Sequence, residues 1–582
     1  MVAFAVKNFG GLIPKTDPRL IPDDLASDAL NVDLAGGSLN ALPILELIKD
    51  LSATSGAVDR AYRFPDTSGA GGPDAWLPLP SPFSSAVPSP LANDTEQRIY
   101  WTNPDDGAYF NTYDRIIGGQ APYNLGFTAP SSIYQPTVTA SGGTAADVVP
   151  YVDRSYCVTF VDQYGLESSP SLPSAVVAGA SDGTWTVVIP TTGLPSPTGM
   201  NYPNVVGCWL YRTVTGLTTG AQFYRVAFFN YSTDPPPSGG YDDVSLDTQV
   251  VNNLPLYSAQ FASPPAGLDG LIAFPGGMLI GFTQNTIHFC EPNYPHAWPA
   301  EYDISVKYPI QALAVWQDNL VLTQGTPSTG TGTAPANFTL TEIQVHEPCI
   351  ARGSVVTELL GVYYASQNGL VMLNYYGMTN LTINNFTKNL WLIEYQAASI
   401  IACRHRTQYF ALVTEGNGFI VEMADQRQGV MPINTQLNAT CIWNDPYTGD
   451  TYICADKKIY RWDSQNTQPS VCRWTSKWFY LPAPASLGAV QIDVDPAVST
   501  TLAPLPTWDN PDETLALPSG VNAQFTMYAD DAQVMQIALT GEQSIFRLPS
   551  GFKAFKWYFE IVTRVKIYSV QVASTMKELT RV

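Results

Sequence analysis

A period constrains this chain more than any other feature of its sequence. Between Leu271 and Trp462, five hydrophobic hairpin-like segments begin near residues 271, 311, 355, 399 and 439, at offsets of 40, 44, 44 and 40 residues. Short strands recurring in units of about 40–50 residues are the pattern of a β-propeller, in which each blade can bury its apolar face only against its neighbours. The hairpins are explicit. Met278-Leu279-Ile280-Gly281-Phe282 leads through Thr283-Gln284-Asn285 into Thr286-Ile287-His288-Phe289. Gly361-Val362-Tyr363-Tyr364-Ala365 leads through Asn368-Gly369 into Leu370-Val371-Met372-Leu373. Gly416-Asn417-Gly418 reads as the turn between Tyr409–Val413 and Phe419–Val421, and Asp456-Lys457 as the turn between Thr451–Cys454 and Ile459–Trp462. The Gly/Thr/Pro-rich stretch Pro327–Asn337 reads as a loop protruding from one blade.

At 582 residues the chain is too long for one core and divides into several units. Residues 131–260 carry strand runs at Tyr156–Val161, Trp185–Ile189, Gly207–Arg212 and Phe223–Phe228, separated by turn clusters such as Asp162-Gln163-Tyr164-Gly165. Short strands with frequent turns predict an immunoglobulin- or fibronectin-like sandwich. Residues 261–475 hold the propeller blades, and 476–582 form a C-terminal β domain with strand runs at Asn522–Tyr528 and Phe555–Val562. Residues 1–130 read as an N-terminal platform. Within it, Asp23–Asn31 suits a turn or two of helix, Gly36-Gly37 turns a hairpin, and the Pro-rich stretch 66–98 reads as an extended loop. Arg98–Thr102 is a clear strand and the best donor of a sixth blade, which would make the sandwich an insertion between blades. The expected fold is all-β: a β-propeller with an inserted sandwich and a C-terminal β domain.

Composition narrows the function. Charged residues make up only 14% of the chain, against about 25% in ordinary soluble domains, while 44 Gly and 47 Pro supply turns. The formal charge is 29 − 50 = −21. Such a surface does not grip phosphates, since nucleic-acid affinity comes mainly from Lys and Arg. It serves solubility, or it lets DNA pass without sticking. Eight cysteines, none in a CxxC pair, sit mostly in apolar strand contexts and read as buried free thiols; Cys157 and Cys208 are the pair that a sandwich disulfide would use in an oxidising setting. The first residues, Met1-Val2-Ala3-Phe4-Ala5-Val6-Lys7, lack the basic start and the long apolar run of a signal peptide. No apolar run approaches the ~20 residues of a membrane span, so no stable membrane insertion is expected. The sequons at Asn93, Asn230, Asn337, Asn380, Asn385 and Asn438 therefore carry little weight.

No motif carries chemistry. The four histidines, His288, His296, His346 and His405, form no i, i+4 ligand pair. His346-Glu347-Pro348-Cys349 fails the spacing of a zinc deaminase site. Ser181-Asp182-Gly183-Thr184-Trp185 resembles a sialidase turn but occurs once, compressed, and in the sandwich. No P-loop, nucleophile elbow or dinucleotide fingerprint is present. The expectation is a non-enzyme with no catalytic residues, no cofactor and no metal.

Several landmarks occur in an order that resembles the tail nozzle (tail tubular protein B-like) family of short-tailed bacteriophages. They begin with Asn8-Phe9-Gly10-Gly11, Asp17-Pro18-Arg19-Leu20-Ile21-Pro22 and Ala29-Leu30-Asn31-Val32-Asp33-Leu34. Phe160–Pro170, Leu210-Tyr211-Arg212-Thr213, Phe289–Pro299 and Tyr364–Val371 follow. The resemblance spans about residues 8–480 and implies a structural virion protein. It implies a homo-oligomeric ring, a hexamer in that family, in the virion tail, assembled in host cytoplasm. The implied partners are a tail adaptor or connector, tail fibres or spikes, and genomic DNA, which passes unread through a channel that is closed until infection. The competing reading is a carbohydrate-binding or glycan-degrading propeller tail protein, which would need two carboxylates ~5–9.5 Å apart in a cleft.

Overall fold

The computed structural model describes residues 2–579 except 67–72, 105, 145–150, 192–202, 204, 215–221, 318, 414–415, 425–427, 465, 500–501, 503–514, 516 and 542. The period is realised as a ring of four-stranded antiparallel sheets. Five begin at Asp269, Ala312, Val356, Ile401 and Ala439, and consecutive inner strands neighbour one another. A sixth four-stranded sheet, blade one, is built from Ser85–Pro88, Arg98–Asn103, Gly107–Thr112 and Tyr123–Asn124. Its inner strand packs on Asp269–Phe274 of blade two.

The last blade is closed from the other end of the chain. Its first three strands are Ala439–Asn444, Thr451–Ala455 and Lys458–Trp462, and its fourth is Glu46–Asp50. Between this blade and blade one stands a two-stranded hairpin, Arg60–Phe64 with Ala75–Leu79. One face of the hairpin packs on Cys441, Trp443 and Tyr452, with Trp76 edge-on to Tyr452 at 5.6 Å. The other packs on Ile99 and Trp101, with Phe64 against Tyr113. The hairpin therefore occupies a blade position, and the ring has seven stations, one of them narrow. Arg63 pins it by an ion pair with the fully buried Asp445, at 2.5 Å.

The sandwich lies between blades one and two in the chain. Tyr156–Asp162, Val205–Thr213 and Phe223–Asn230 form one sheet; Thr137–Ser141, Thr184–Val188 and Tyr241–Asp243 form the other. They close on Tyr156, Phe160, Trp185 and Leu210. The C-terminal strands make two sheets over a shared core, and the N-terminus completes both. Val2–Val6 pairs with Ile567–Ala573, and Ala26–Leu30 pairs with Cys472–Ser476. Residues 1–130, which sequence alone presents as a platform, are thus distributed among the C-terminal domain, the last blade, the hairpin and blade one.

Several local expectations are corrected. Ala26–Leu30 is a strand, not helix, because its hydrogen-bond partner lies more than 400 residues away, where local periodicity has no view of it. The stretch 66–98 is not one extended loop; among its described residues it holds the strands Ala75–Leu79 and Ser85–Pro88. Proline is accommodated because both strands lie at sheet edges, where one row of N–H groups faces no ladder. Pro327–Asn337 does not protrude wholly: Ser328–Thr331 is the third strand of blade three. Gly330 permits this, since a Cβ there would come within 2.4 Å of the Phe338 ring. The strand after the turn near 416 begins already at Asn417. All eight cysteines are free and buried. Cys157 and Cys208 lie on neighbouring strands of one sheet, opposite Tyr211 and Phe160, and not across the sandwich as a disulfide would need.

Candidate functional site

Two features stand out: the channel that the inner strands enclose, and an apolar rim on blade four. The channel is a cavity of about 590 Å³, walled by residues of all six blades and of the hairpin. That is the size of small-ligand sites, about 300–1,000 Å³. A DNA duplex, whose major groove alone is about 12 Å across, does not fit in it. Its walls are mainly apolar, among them Ile272, Val315, Val356, Ile401 and Trp443, because inner strands turn alternate side chains toward their neighbours and the axis.

The charged residues lining the channel are three arginines, Arg60, Arg352 and Arg404. Arg352 grips both carboxylate oxygens of Asp269, one of them at 2.7 Å, donates to the Phe83 carbonyl at 3.3 Å, and sits over the Phe83 ring. Arg404 pairs with Glu358 at 2.5 Å and donates to the Arg406 carbonyl. The Arg60 side chain makes no hydrogen bond or ion pair among the described residues; the residue is half-buried at the start of the hairpin. The nearby thiols Cys403 and Cys441 are pushed up by burial, so they stay protonated and unreactive.

The rim patch comprises Leu359, Leu360, Tyr375 and Tyr376, exposed by 73, 46, 63 and 100%. Leu359-Leu360 joins the first and second strands of blade four, and Tyr375-Tyr376 joins the third and fourth, so both turns lie at one end of the sheet. The patch is held in place. Trp316 packs against Tyr375 with the rings tilted and their centroids 4.6 Å apart, and its indole N–H donates to the Leu359 carbonyl at 3.1 Å. Asn374 donates to the Leu360 carbonyl at 3.1 Å, and Asn319 hydrogen-bonds the Tyr375 hydroxyl. Large apolar groups gathered at one exposed place mark interaction surfaces.

The histidines are scattered. His288 lies in a chain that sequence spacing did not reveal: Thr283 Oγ1 to Nε2 at 2.7 Å, and Nδ1 to Asp303 at 2.7 Å. Thr283 and His288 share a face of one hairpin, Asp303 arrives from the outer loop, and none of the three lines the channel. His296 is buried, with Nε2–H donating to the Glu167 carbonyl at 3.0 Å across the joint between blade two and the sandwich. His405 bonds Thr451 and pairs with Asp463, and His346 is exposed while Cys349 is buried. Among the described residues, no three His, Cys, Asp or Glu gather as a metal site would require. Ser181-Asp182-Gly183 is a turn, closed by the Gly183 N–H on the Ala180 carbonyl, that leads into Thr184–Val188. The one signal that could have marked Arg60 from sequence is an arginine opening a short apolar strand, Arg60–Phe64, and that signal is weak.

No family model matches the chain, and no curated protein matches it. Among solved structures, BBS1N in complex with ARL6DN, soaked with lead, is similar at 10% identity, with 73% of this chain and 99% of that chain covered and a TM-score of 0.31. BamB from Moraxella catarrhalis is similar at 12% identity, covering 66% and 98%, with a TM-score of 0.26. U3-55K is similar at 8% identity, covering 49% and 91%, with a TM-score of 0.25. These scores carry no argument, and the propeller rests on the chain's own sheets.

Proposed function

We propose that this protein is the subunit of a ring-shaped phage tail nozzle, a structural virion component that closes the tail channel and conducts genomic DNA during ejection. The observation that carries the reading is the rim of blade four. Four large apolar side chains are presented there on a rigid turn pair, and one of them, Tyr376, is wholly exposed. A surface of this kind is suited to burial against another copy of the chain. The charge of −21 supports the same reading, since an acidic wall lets DNA slide by without binding. The small size of the propeller channel supports a DNA path along an axis shared by several copies, outside any one propeller. The ordered landmarks from Asn8 to Val371 resemble that family, and the resemblance implies a hexameric ring below a connector.

Electron microscopy of the purified protein and of virions tests the proposal. Rings are expected, with the Leu359→Glu, Tyr376→Glu double variant reduced to monomers that keep the parental near-ultraviolet circular dichroism and melt somewhat lower, since they lose the stabilisation that assembly gives. A strictly monomeric parent that never associates with virions overturns it.

A further inference from the structure

We propose that the propeller channel is a binding site for a small oxyanion, a carboxylate or phosphate on a compact apolar body, with Arg60 as its seat. The chain has 50 acidic residues against 29 basic ones, so a carboxylate partner is available in excess for any arginine that needs one. Two of the three channel arginines have taken one: Arg352 holds Asp269 and Arg404 holds Glu358. Arg60 has not, although it is half-buried and faces the same cavity. Its charge is felt by the Cys441 thiol in the adjoining wall, which it lowers against the effect of burial.

A half-buried guanidinium without an anion leaves five fixed donors aimed at what surrounds them. In this cavity the surroundings include no lining carboxylate. An incoming oxyanion would find bidentate donors at Arg60, and the field of Arg352 and Arg404 is already partly neutralised, so one negative group suffices. The walls set the rest of the ligand. Ile272, Val356, Ile401 and Trp443 offer apolar contact, and about 590 Å³ admits a molecule of metabolite size. The site also bridges the ring's narrow station. Arg60 opens the hairpin, Thr440 of the last blade donates to the Asp59 carbonyl beside it at 2.6 Å, and an anion on Arg60 would tie hairpin to blades.

Isothermal titration in chloride-free, low-salt buffer with benzoate and, separately, phenyl phosphate tests the site, with Trp443 fluorescence as a second readout from the channel wall. Saturable 1:1 binding of at least one probe is expected. Arg60→Gln should weaken it at least about tenfold, the loss of a charge-assisted bidentate contact, while the ligand-free melting temperature stays put. No saturable binding of either probe, or binding by Arg60→Gln equal to the parent's, overturns the proposal. Because the isolated chain is titrated, the result stands apart from whether the protein forms a ring.

Discussion

At the joint between the sandwich and the propeller, two buried groups titrate in opposite senses. Asp162 accepts the N–H groups of Tyr164 and Leu166 at 2.9 and 2.8 Å, yet burial pushes its carboxyl up to about 6. Burial pushes His296 down to about 4. As pH falls from about 6.5, the unfolded histidine takes a proton that the folded one refuses, so stability falls until about pH 4. Between about 6 and 3.8 the folded aspartate holds a proton that the unfolded one has released, so stability rises as pH falls. The two slopes oppose one another. Asp162→Asn keeps an acceptor oxygen and removes the compensating slope. Its melting temperature should therefore drop more steeply than the parent's between pH 6.5 and 4, read by calorimetry across that range; parallel curves would contradict this. The thiols give a second test at this scale. All eight are buried and none is paired, so a disulfide-exchange reagent should label almost none in the native protein and all eight after denaturation.

Among elements, the fourth strand of the last blade is the one whose loss should be felt most widely. Glu46–Asp50 joins the N-terminal stretch to the strand Lys458–Trp462, and Glu46 accepts from Arg461 and Ser464, both at 2.5 Å. The Leu51 N–H donates to the Lys457 carbonyl at 2.9 Å, so by alternation the Lys49 N–H, opposite Ile459, faces the same ladder. Lys49→Pro removes that donor and leaves an acceptor unmet, at a cost of about 1–3 kcal/mol. Lys49→Ala, which changes only an exposed side chain, should stay within about 0.5 kcal/mol. Denaturant melts of the two variants measure the difference, and equal stabilities would mean the strand does not close the ring. The hairpins of blades two, four, five and six were legible in sequence because each is a local object: alternating apolar residues either side of a short turn. The strands Ala26–Leu30, Glu46–Asp50 and Ala75–Leu79 were not, since their partners are distant or their runs contain proline.

For the whole molecule, charge and shape act together. With 50 acidic and 29 basic residues, the protein should not retain duplex DNA at physiological salt, and a gel shift weakening steeply with added salt would contradict the acidic-wall argument. The joined ends matter here as well: Val2–Val6 and Ile567–Ala573 pair in one sheet, so the first residues of the chain complete the C-terminal domain.

The all-β class and the repeat are legible in the order of residues alone. The inner strands at Asp269, Ala312, Val356, Ile401 and Ala439 begin within two residues of the positions that hydrophobic periodicity marks, 271, 311, 355, 399 and 439. Periodicity is a local property of side chains, and a blade is a local fold. How the ring closes, which residues meet in the channel and which apolar side chains stay exposed are set by long-range packing. Ring closure joins strands some 400 residues apart. The missing partner of Arg60 and the exposed rim at Tyr376 depend on what every other segment leaves uncovered, and no window of sequence contains that information.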